Sequence, residues 1–136
     1  MDLGKLDTVS AANAGIELCL LHPKTSEPTS IYITVLGSDS DEFRKISATQ
    51  NRARLMRIRK SQATRHRSDE DFEGDAIAIL AACTKGWRDG SNESLDIGGS
   101  ALPFSVENAI LLYRKFPWIR EQVDITISDR TNFIKG

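Results

Sequence analysis

Hydrophobic and polar residues alternate near the start of the chain in the manner of β-strands. In "SIYITVLG", Ile31, Ile33 and Val35 fall on one face, and Tyr32 and Thr34 on the other. This two-residue period is that of an extended strand. "AGIELCLLHP" alternates less regularly but is similarly apolar, and the intervening "PKTSEPT" has the prolines and small polar residues of a loop. The pattern therefore predicts a β-hairpin at about residues 14–36.

The segment after the hairpin favours a helix without a broad apolar face. "GSDSDEF" supplies serines that can cap a helix and carboxylates that complement its N-terminal dipole. We predict a helix from about residue 40 to the low sixties. Its apolar seam is narrow, and the other apolar residues spread around the cylinder. Two interpretations stay open: Arg and Lys stems cover its apolar surface, or a partner buries part of it.

A second helix is indicated by its start signal and its apolar spacing. Ser68 stands three residues before Asp71, which is the spacing of a capping box. Apolar residues then recur at helical intervals as far as Cys83, and Gly86 offers a stop. This segment is the most regular helix pattern in the sequence.

The last third of the chain predicts a loop followed by two helices. Residues 88–104 are rich in Gly, Ser, Asn and Asp, which is typical of a flexible loop. Ser105 can cap a helix that continues to Phe116. Pro117 is tolerated in the first turn of a further helix. Together these patterns predict an α+β fold that is mostly α, with an N-terminal β-hairpin followed by about four helices.

The length of 136 residues matches one ordinary domain. We therefore expect residues 1–136 to form a single unit, with its helical part at about 40–133. No apolar run approaches the roughly 18 residues that would cross a bilayer. The expected location is the cytoplasm, without membrane association.

Charge is strongly segregated although the net charge is only −1. Residues 41–67 contain nine basic and two acidic side chains, whereas residues 68–100 contain two basic and eight acidic ones. A basic helix at 44–67 is the one feature that points to nucleic acid. The acidic segment directly after it, and the absence of interleaved aromatic residues, argue against nucleic-acid binding as the main role and leave it as an alternative.

Motifs for catalysis or cofactor binding are missing from the sequence. It contains no GxSxG, HExxH, GxxxxGKS or GxGxxG. "DIGGS" indicates a flexible loop more than a phosphate-binding loop. The acidic run at 69–75 is typical of a helix N-terminus more than of a metal site. We expect Cys19 and Cys83 to be small buried hydrophobic residues, because their sequence neighbours are apolar. We expect no catalytic, cofactor-binding or metal-binding residues, and a protein that is not an enzyme.

The ending of the chain resembles a known family. "LPFSVENAILLYRKFPWIREQVDITISDRTNFI", with the opening "MDLGKLDTVSAANAGIELCLLHPKTSEP" and "ITVLGSDSDEFRK", is similar to the tail assembly chaperones of long-tailed bacteriophages and prophages. The likeness covers nearly the whole chain. Its most specific parts are the LPFS-x-ENA helix start, the PWIREQVD joint and the DRxNF finish.

The resemblance implies a role in virion morphogenesis. Such chaperones bind the tape measure protein, keep it soluble and help to gather the major tail tube protein around it. They act in the host cell cytoplasm and are absent from the mature virion. Family members are α-helical with a small hairpin, self-associate into homo-oligomers or spirals, and often have a longer form made by translational frameshift. A permanent minor structural protein of a phage tail or head remains the alternative.

The partner-binding residues are hypotheses drawn from charge and apolarity. Basic residues of the first long helix would pair with carboxylates of a neighbour, and large apolar residues would contribute buried area. Each of these residues has an internal role as its alternative. The proposed residues are Arg52, Met56, Arg57, Arg59, Asp71, Glu73, Trp118 and Phe133.

Overall fold

The computed structural model describes residues 2–60 and 69–134, with the backbone alone described at Lys5, 57–60 and 69–72. These residues form five α-helices, five strands and two short 3-10 helices. The helices are α1 (Thr8–Ala14), α2 (Asp41–Lys60), α3 (Asp69–Cys83), α4 (Val106–Lys115) and α5 (Pro117–Ser128). The strands are β1 (Ile16–Leu21), β2 (Pro28–Val35), β3 (Thr84–Asp89), β4 (Leu95–Ile97) and β5 (Ser100–Leu102). The 3-10 helices are Leu3–Leu6 and Arg130–Asn132.

The prediction of a mostly α fold, with one hairpin followed by about four helices, was wrong. The N-terminal hairpin is present as β1 and β2, but the described residues hold two antiparallel sheets and five helices. The missed helix is α1, whose start is capped by Asp7 through the backbone N–H of Ser10 at 3.0 Å. Its apolar content is too low to show a helical stripe in the sequence. The fold is therefore α+β with a substantial β part.

The main sheet has three antiparallel strands in the order β1-β2-β3. Ile33 at its centre lies opposite Leu18 on one side and Trp87 on the other. β3 begins directly where α3 ends, and Trp87 is its one large apolar residue. A strand with so few apolar positions gives no alternation in the sequence. Its place is instead set by pairing with β2.

A second, smaller sheet lies within residues 88–104, the region predicted as a flexible loop. β4 and β5 form a hairpin in which Ile97 pairs with Ser100. The two residues between them, Gly98 and Gly99, have φ values of 59° and 88°. Tight two-residue turns of this kind require positive φ at both positions, which glycine adopts without strain. The "DIGGS" segment is therefore a hairpin turn.

The core lies between one face of the main sheet and helices α3, α4 and α5. Apolar side chains from all these elements are buried there: Leu20, Ile33, Val35, Ile77, Leu80, Leu112, Val123 and Ile127. The phenol of Tyr113 is also buried, with its hydroxyl 2.5 Å from the hydroxyl of Thr84. The Thr84 hydroxyl in turn donates to the carbonyl of Leu80 at 2.7 Å. Burial raises the pKa of Tyr113, so this phenol stays neutral.

Candidate functional site

The first half of α2 is attached to the body of the protein. Ser40 is buried, and its hydroxyl accepts a hydrogen bond from the N–H of Phe43 at 3.2 Å, which caps the helix. Phe43 and Ile46 are half-buried. Gln50 donates its side-chain amide to the carbonyl of Asp75 on α3 at 2.8 Å. These contacts hold α2 against α3 as far as Gln50.

Beyond Gln50 the described side chains of α2, those of residues 51–56, are all exposed. This holds whichever side of the helix they lie on. We call residues 51–56 the outer segment of α2. Side chains this exposed gain little burial energy from their own domain.

The outer segment combines apolar and basic side chains. Leu55 and Met56 are 58% and 59% exposed. Arg52 and Arg54 are exposed beside them. Adjacent large apolar residues at this level of exposure, flanked by cations, are typical of a protein-binding surface. Two of the residues predicted from the sequence, Arg52 and Met56, lie here, and Leu55 joins them.

Three of the sequence-predicted residues have side chains outside the described residues. Arg57 and Arg59 continue α2 past the outer segment, and Asp71 lies in the first turn of α3. Their proposed pairing between neighbouring subunits stays a prediction.

Glu73 has an ion-pair partner within the chain. Its carboxylate lies 2.5 Å from the guanidinium of Arg120 on α5. The pair links the start of α3 to α5, and both side chains are partly exposed. A neighbour's arginine would have to compete with Arg120 for this carboxylate.

The two predicted aromatic residues both pack on the core of the protein. Trp118 is half-buried against the core at the start of α5. Phe133 is only 5% exposed, and its ring packs against Gly37, where an added Cβ would lie 3.0 Å from it. The structure thus places Phe133 inside its own domain, apart from the exposed Arg52 and Met56.

The chain end that carries Phe133 is fixed by an ion pair. The guanidinium of Arg130 donates to both carboxylate oxygens of Asp39, at 2.6 and 3.0 Å. These hydrogen bonds lower the pKa of Asp39 from its usual 3.8. The C-terminal 3-10 helix is thereby held to the loop that precedes α2.

The thiol of Cys83 is buried in the core and packs there as a small apolar group. Burial raises the pKa of the Cys83 thiol to about 11, so it is protonated at neutral pH.

In residues 2–60 and 69–134, no group of three or more His, Cys, Asp or Glu side chains is arranged to hold a metal ion. None of the helices in this part of the chain is both long and apolar enough to cross a membrane.

A scan of protein-family models finds no match, and neither the curated proteins nor the solved structures contain a matching chain. The resemblance to tail assembly chaperones therefore stays an expectation drawn from the sequence.

Sequence analysis missed a second exposed surface, on α4. Leu111 lies on the side of this helix that faces away from the core, and Ile110 lies at the edge of that side, half-buried against the core. Charged residues lie before and after the pair. The signal was present in "ENAILLYRK", where apolar residues outnumber those that one buried face can use. A helical projection of that segment leaves Leu111 outside the core stripe formed by Ala109, Leu112 and Tyr113.

Proposed function

We propose that this chain is a tail assembly chaperone of a long-tailed bacteriophage or prophage. In this role it binds the tape measure protein in the host cytoplasm, keeps it soluble and helps to recruit the major tail tube protein. It makes and breaks no covalent bonds and leaves before the virion is complete. The proposal starts from the resemblance of the sequence and draws its structural support from the outer segment of α2.

The exposed pair Leu55 and Met56 is the observation that carries the proposal. Full burial of such a side chain is worth roughly 1.5–3 kcal/mol. A partner that covers what is still exposed of both would gain about 2–3 kcal/mol from apolar contact. The partner that fits best is a helix with an apolar stripe bordered by carboxylates, because Arg52 and Arg54 flank the pair.

Co-expression with the tape measure protein tests the proposal. We expect the wild-type chain to raise the soluble fraction of that protein, measured after centrifugation of the lysate. The double variant Leu55→Asp/Met56→Asp should lose most of this effect. Ile125→Asp is the matched control, since Ile125 is 70% exposed on α5 and lies outside the outer segment. If the tape measure protein is equally insoluble with and without the wild-type chain, the proposal fails.

Nucleic-acid binding is a second candidate because Arg52 and Arg54 are exposed on the outer segment. Phosphate binding of this kind weakens steeply as salt rises. A filter-binding titration with duplex and single-stranded DNA at physiological salt separates the two functions. Saturation at micromolar protein that is lost in Arg52→Glu/Arg54→Glu, but kept in Leu55→Asp/Met56→Asp, would favour nucleic acid.

A permanent structural role in the tail or head differs from a chaperone role in one measurable respect, which is whether the finished particle contains the chain. Mass spectrometry of purified tails and virions should find no copies of this chain if it is a chaperone. A fixed number of copies per particle would favour the structural role.

A further inference from the structure

The outward face of α4 carries a stripe that is exposed except at one edge, where Ile110 packs against the core. The opposite face of the helix is buried through Ala109, Leu112 and Tyr113. The stripe follows the helical spacing of three, four, seven and eight residues, so that its members lie on one side. It consists of Glu107, Ile110, Leu111, Arg114 and Lys115, and we call it the α4 stripe.

The centre of the α4 stripe is apolar and its two ends are oppositely charged. Leu111 is 50% exposed and Ile110 is half-buried, beside an open depression of about 320 Å³. Glu107 lies in the first turn of α4, and Arg114 and Lys115 in the last. Among the described residues neither Glu107 nor Arg114 has an ion-pair partner within 4.0 Å. The charges at both ends are therefore available to a partner.

This order of charges is complementary to itself in the reverse direction. If a second α4 lies antiparallel across the first, Arg114 of each copy meets Glu107 of the other, and Ile110 meets Leu111. A parallel arrangement would instead place Glu107 beside Glu107 and Arg114 beside Arg114, which like-charge repulsion disfavours. We propose that the α4 stripe is a dimer interface, in which two copies of the chain pack α4 against α4 about a two-fold axis near Ile110 and Leu111.

The size of the stripe sets the strength of the dimer. One face of a ten-residue helix buries less area than the roughly 1,200 Å² of a standard stable interface. Apolar contact at the centre contributes most of the affinity, and the exposed ion pairs contribute orientation more than energy. The dimer is thus weak and forms in the micromolar range or above. This interface does not involve the outer segment of α2, and the inference does not depend on the proposed function.

Sedimentation equilibrium of the purified chain, from low to high micromolar concentration, tests the dimer. We expect the wild-type chain to pass from monomer to dimer over this range. Leu111→Asp should weaken the dimer by at least about tenfold, because it places a desolvated carboxylate at the axis. Ile125→Asp, an equally drastic change at an exposed apolar residue on α5, should leave the dissociation constant unchanged.

Charge reversal gives a second and more specific readout. Glu107→Arg and Arg114→Glu should each weaken the dimer by about tenfold, since each sets two like-charged pairs across the axis. The double variant Glu107→Arg/Arg114→Glu restores opposite charges and should recover the wild-type dissociation constant to within about threefold. Circular dichroism of each variant confirms that α4 still folds with charges reversed relative to its dipole.

Three outcomes would overturn the inference. The first is a chain that stays monomeric at the highest concentration. The second is a dimer that Leu111→Asp does not weaken, or that Ile125→Asp weakens equally. The third is a double charge reversal that is no better than the single ones. All of these experiments use the chain alone, so they are independent of whether it binds a tape measure protein.

Discussion

The side-chain amide of Gln122 hydrogen-bonds to both backbone groups of Leu21. Its oxygen accepts from the Leu21 N–H at 2.8 Å, and its nitrogen donates to the Leu21 carbonyl at 2.8 Å. β1 is an edge strand, so these groups point away from the sheet. An unpaired edge is a template for pairing with another chain. Gln122 occupies this position much as the backbone of an added strand would.

Removal of this amide should expose the edge of β1. For Gln122→Ala we expect a loss of about 1–2 kcal/mol in the free energy of unfolding, because two hydrogen bonds are lost at a partly exposed site. We also expect this variant to aggregate faster than wild type on heating. Light scattering measures the rate of aggregation. Gln122→Glu serves as a comparison, since it keeps the acceptor for Leu21 N–H but loses the donor. Equal stability and equal aggregation rate in Gln122→Ala and wild type would contradict this view.

The buried hydroxyl pair of Tyr113 and Thr84 should be coupled energetically. Tyr113→Phe removes one partner at constant shape and should cost about 1 kcal/mol. Thr84→Val removes the other partner and also the hydrogen bond to the Leu80 carbonyl, and should cost more. Urea denaturation of both single variants and the double variant gives the coupling free energy, which we expect to be about 0.5–1.5 kcal/mol. A coupling of zero would mean that the two hydroxyls act independently.

The ion pair between Asp39 and Arg130 should make stability depend on pH in acid. The pKa of Asp39 is below 3.8 in the folded protein, so its contribution is fully present above about pH 4 and is lost as the pH falls through the folded value. Asp39→Asn should therefore be less stable than wild type at pH 6, and the difference should shrink as the pH falls below 3.8. Thermal denaturation at a series of pH values measures this difference.

The partner of Asp39 provides the control. Arg130→Gln should lose the same pH-dependent stability as Asp39→Asn, because it removes the other member of the pair. The double variant should be little less stable than either single variant. A difference between wild type and Asp39→Asn that grows toward low pH would contradict the assignment.

The thiol of Cys83 should resist alkylation in the folded protein. Its pKa of about 11 and its burial leave almost no accessible thiolate at pH 8. Iodoacetamide should modify Cys83 only after denaturation, whereas Cys19, which is half-buried, should react sooner. Peptide mass spectrometry after timed labelling distinguishes the two sites. Rapid native labelling of Cys83 would mean that the core opens around it more often than its packing indicates.

Substitution in the outer segment of α2 should leave the fold unchanged. Leu55→Lys and Met56→Lys each replace an exposed side chain and should change the free energy of unfolding by no more than about 0.5 kcal/mol. Ile77→Ala, in the core of α3, is the contrasting variant and should cost about 2–5 kcal/mol. Guanidinium denaturation followed by circular dichroism provides both values. A large loss in Met56→Lys would assign this residue to the fold instead of to a binding surface.

Elements with strong local signals were predictable from the sequence. The hairpin of β1 and β2 follows from its alternation, and α5 begins at Pro117 as its first-turn preference predicts. β3 was not predictable, because Trp87 is its single large apolar residue and its partner β2 lies about fifty positions earlier. The β4–β5 hairpin has strands of three residues, which are too short for a periodic pattern.

The candidate site was predictable only in part, for a similar reason. The narrow seam of α2 indicated that some of its apolar residues lacked a place in the core, and Leu55 and Met56 are exposed in the structure. The pairing of Glu73 with Arg120 joins positions 47 apart and depends on how α3 meets α5. Phe133 lies near the chain end, and only the tertiary packing against Gly37 shows it to be internal.

The exposure of residues 51–56 of α2 has an evolutionary consequence. These six helical residues extend about 9 Å, and none of them is among the described residues that form the core. Mutations there escape the purifying selection that acts on protein stability. Under the proposed function, this segment can therefore change together with the partner that it binds, at little cost to the stability of the fold.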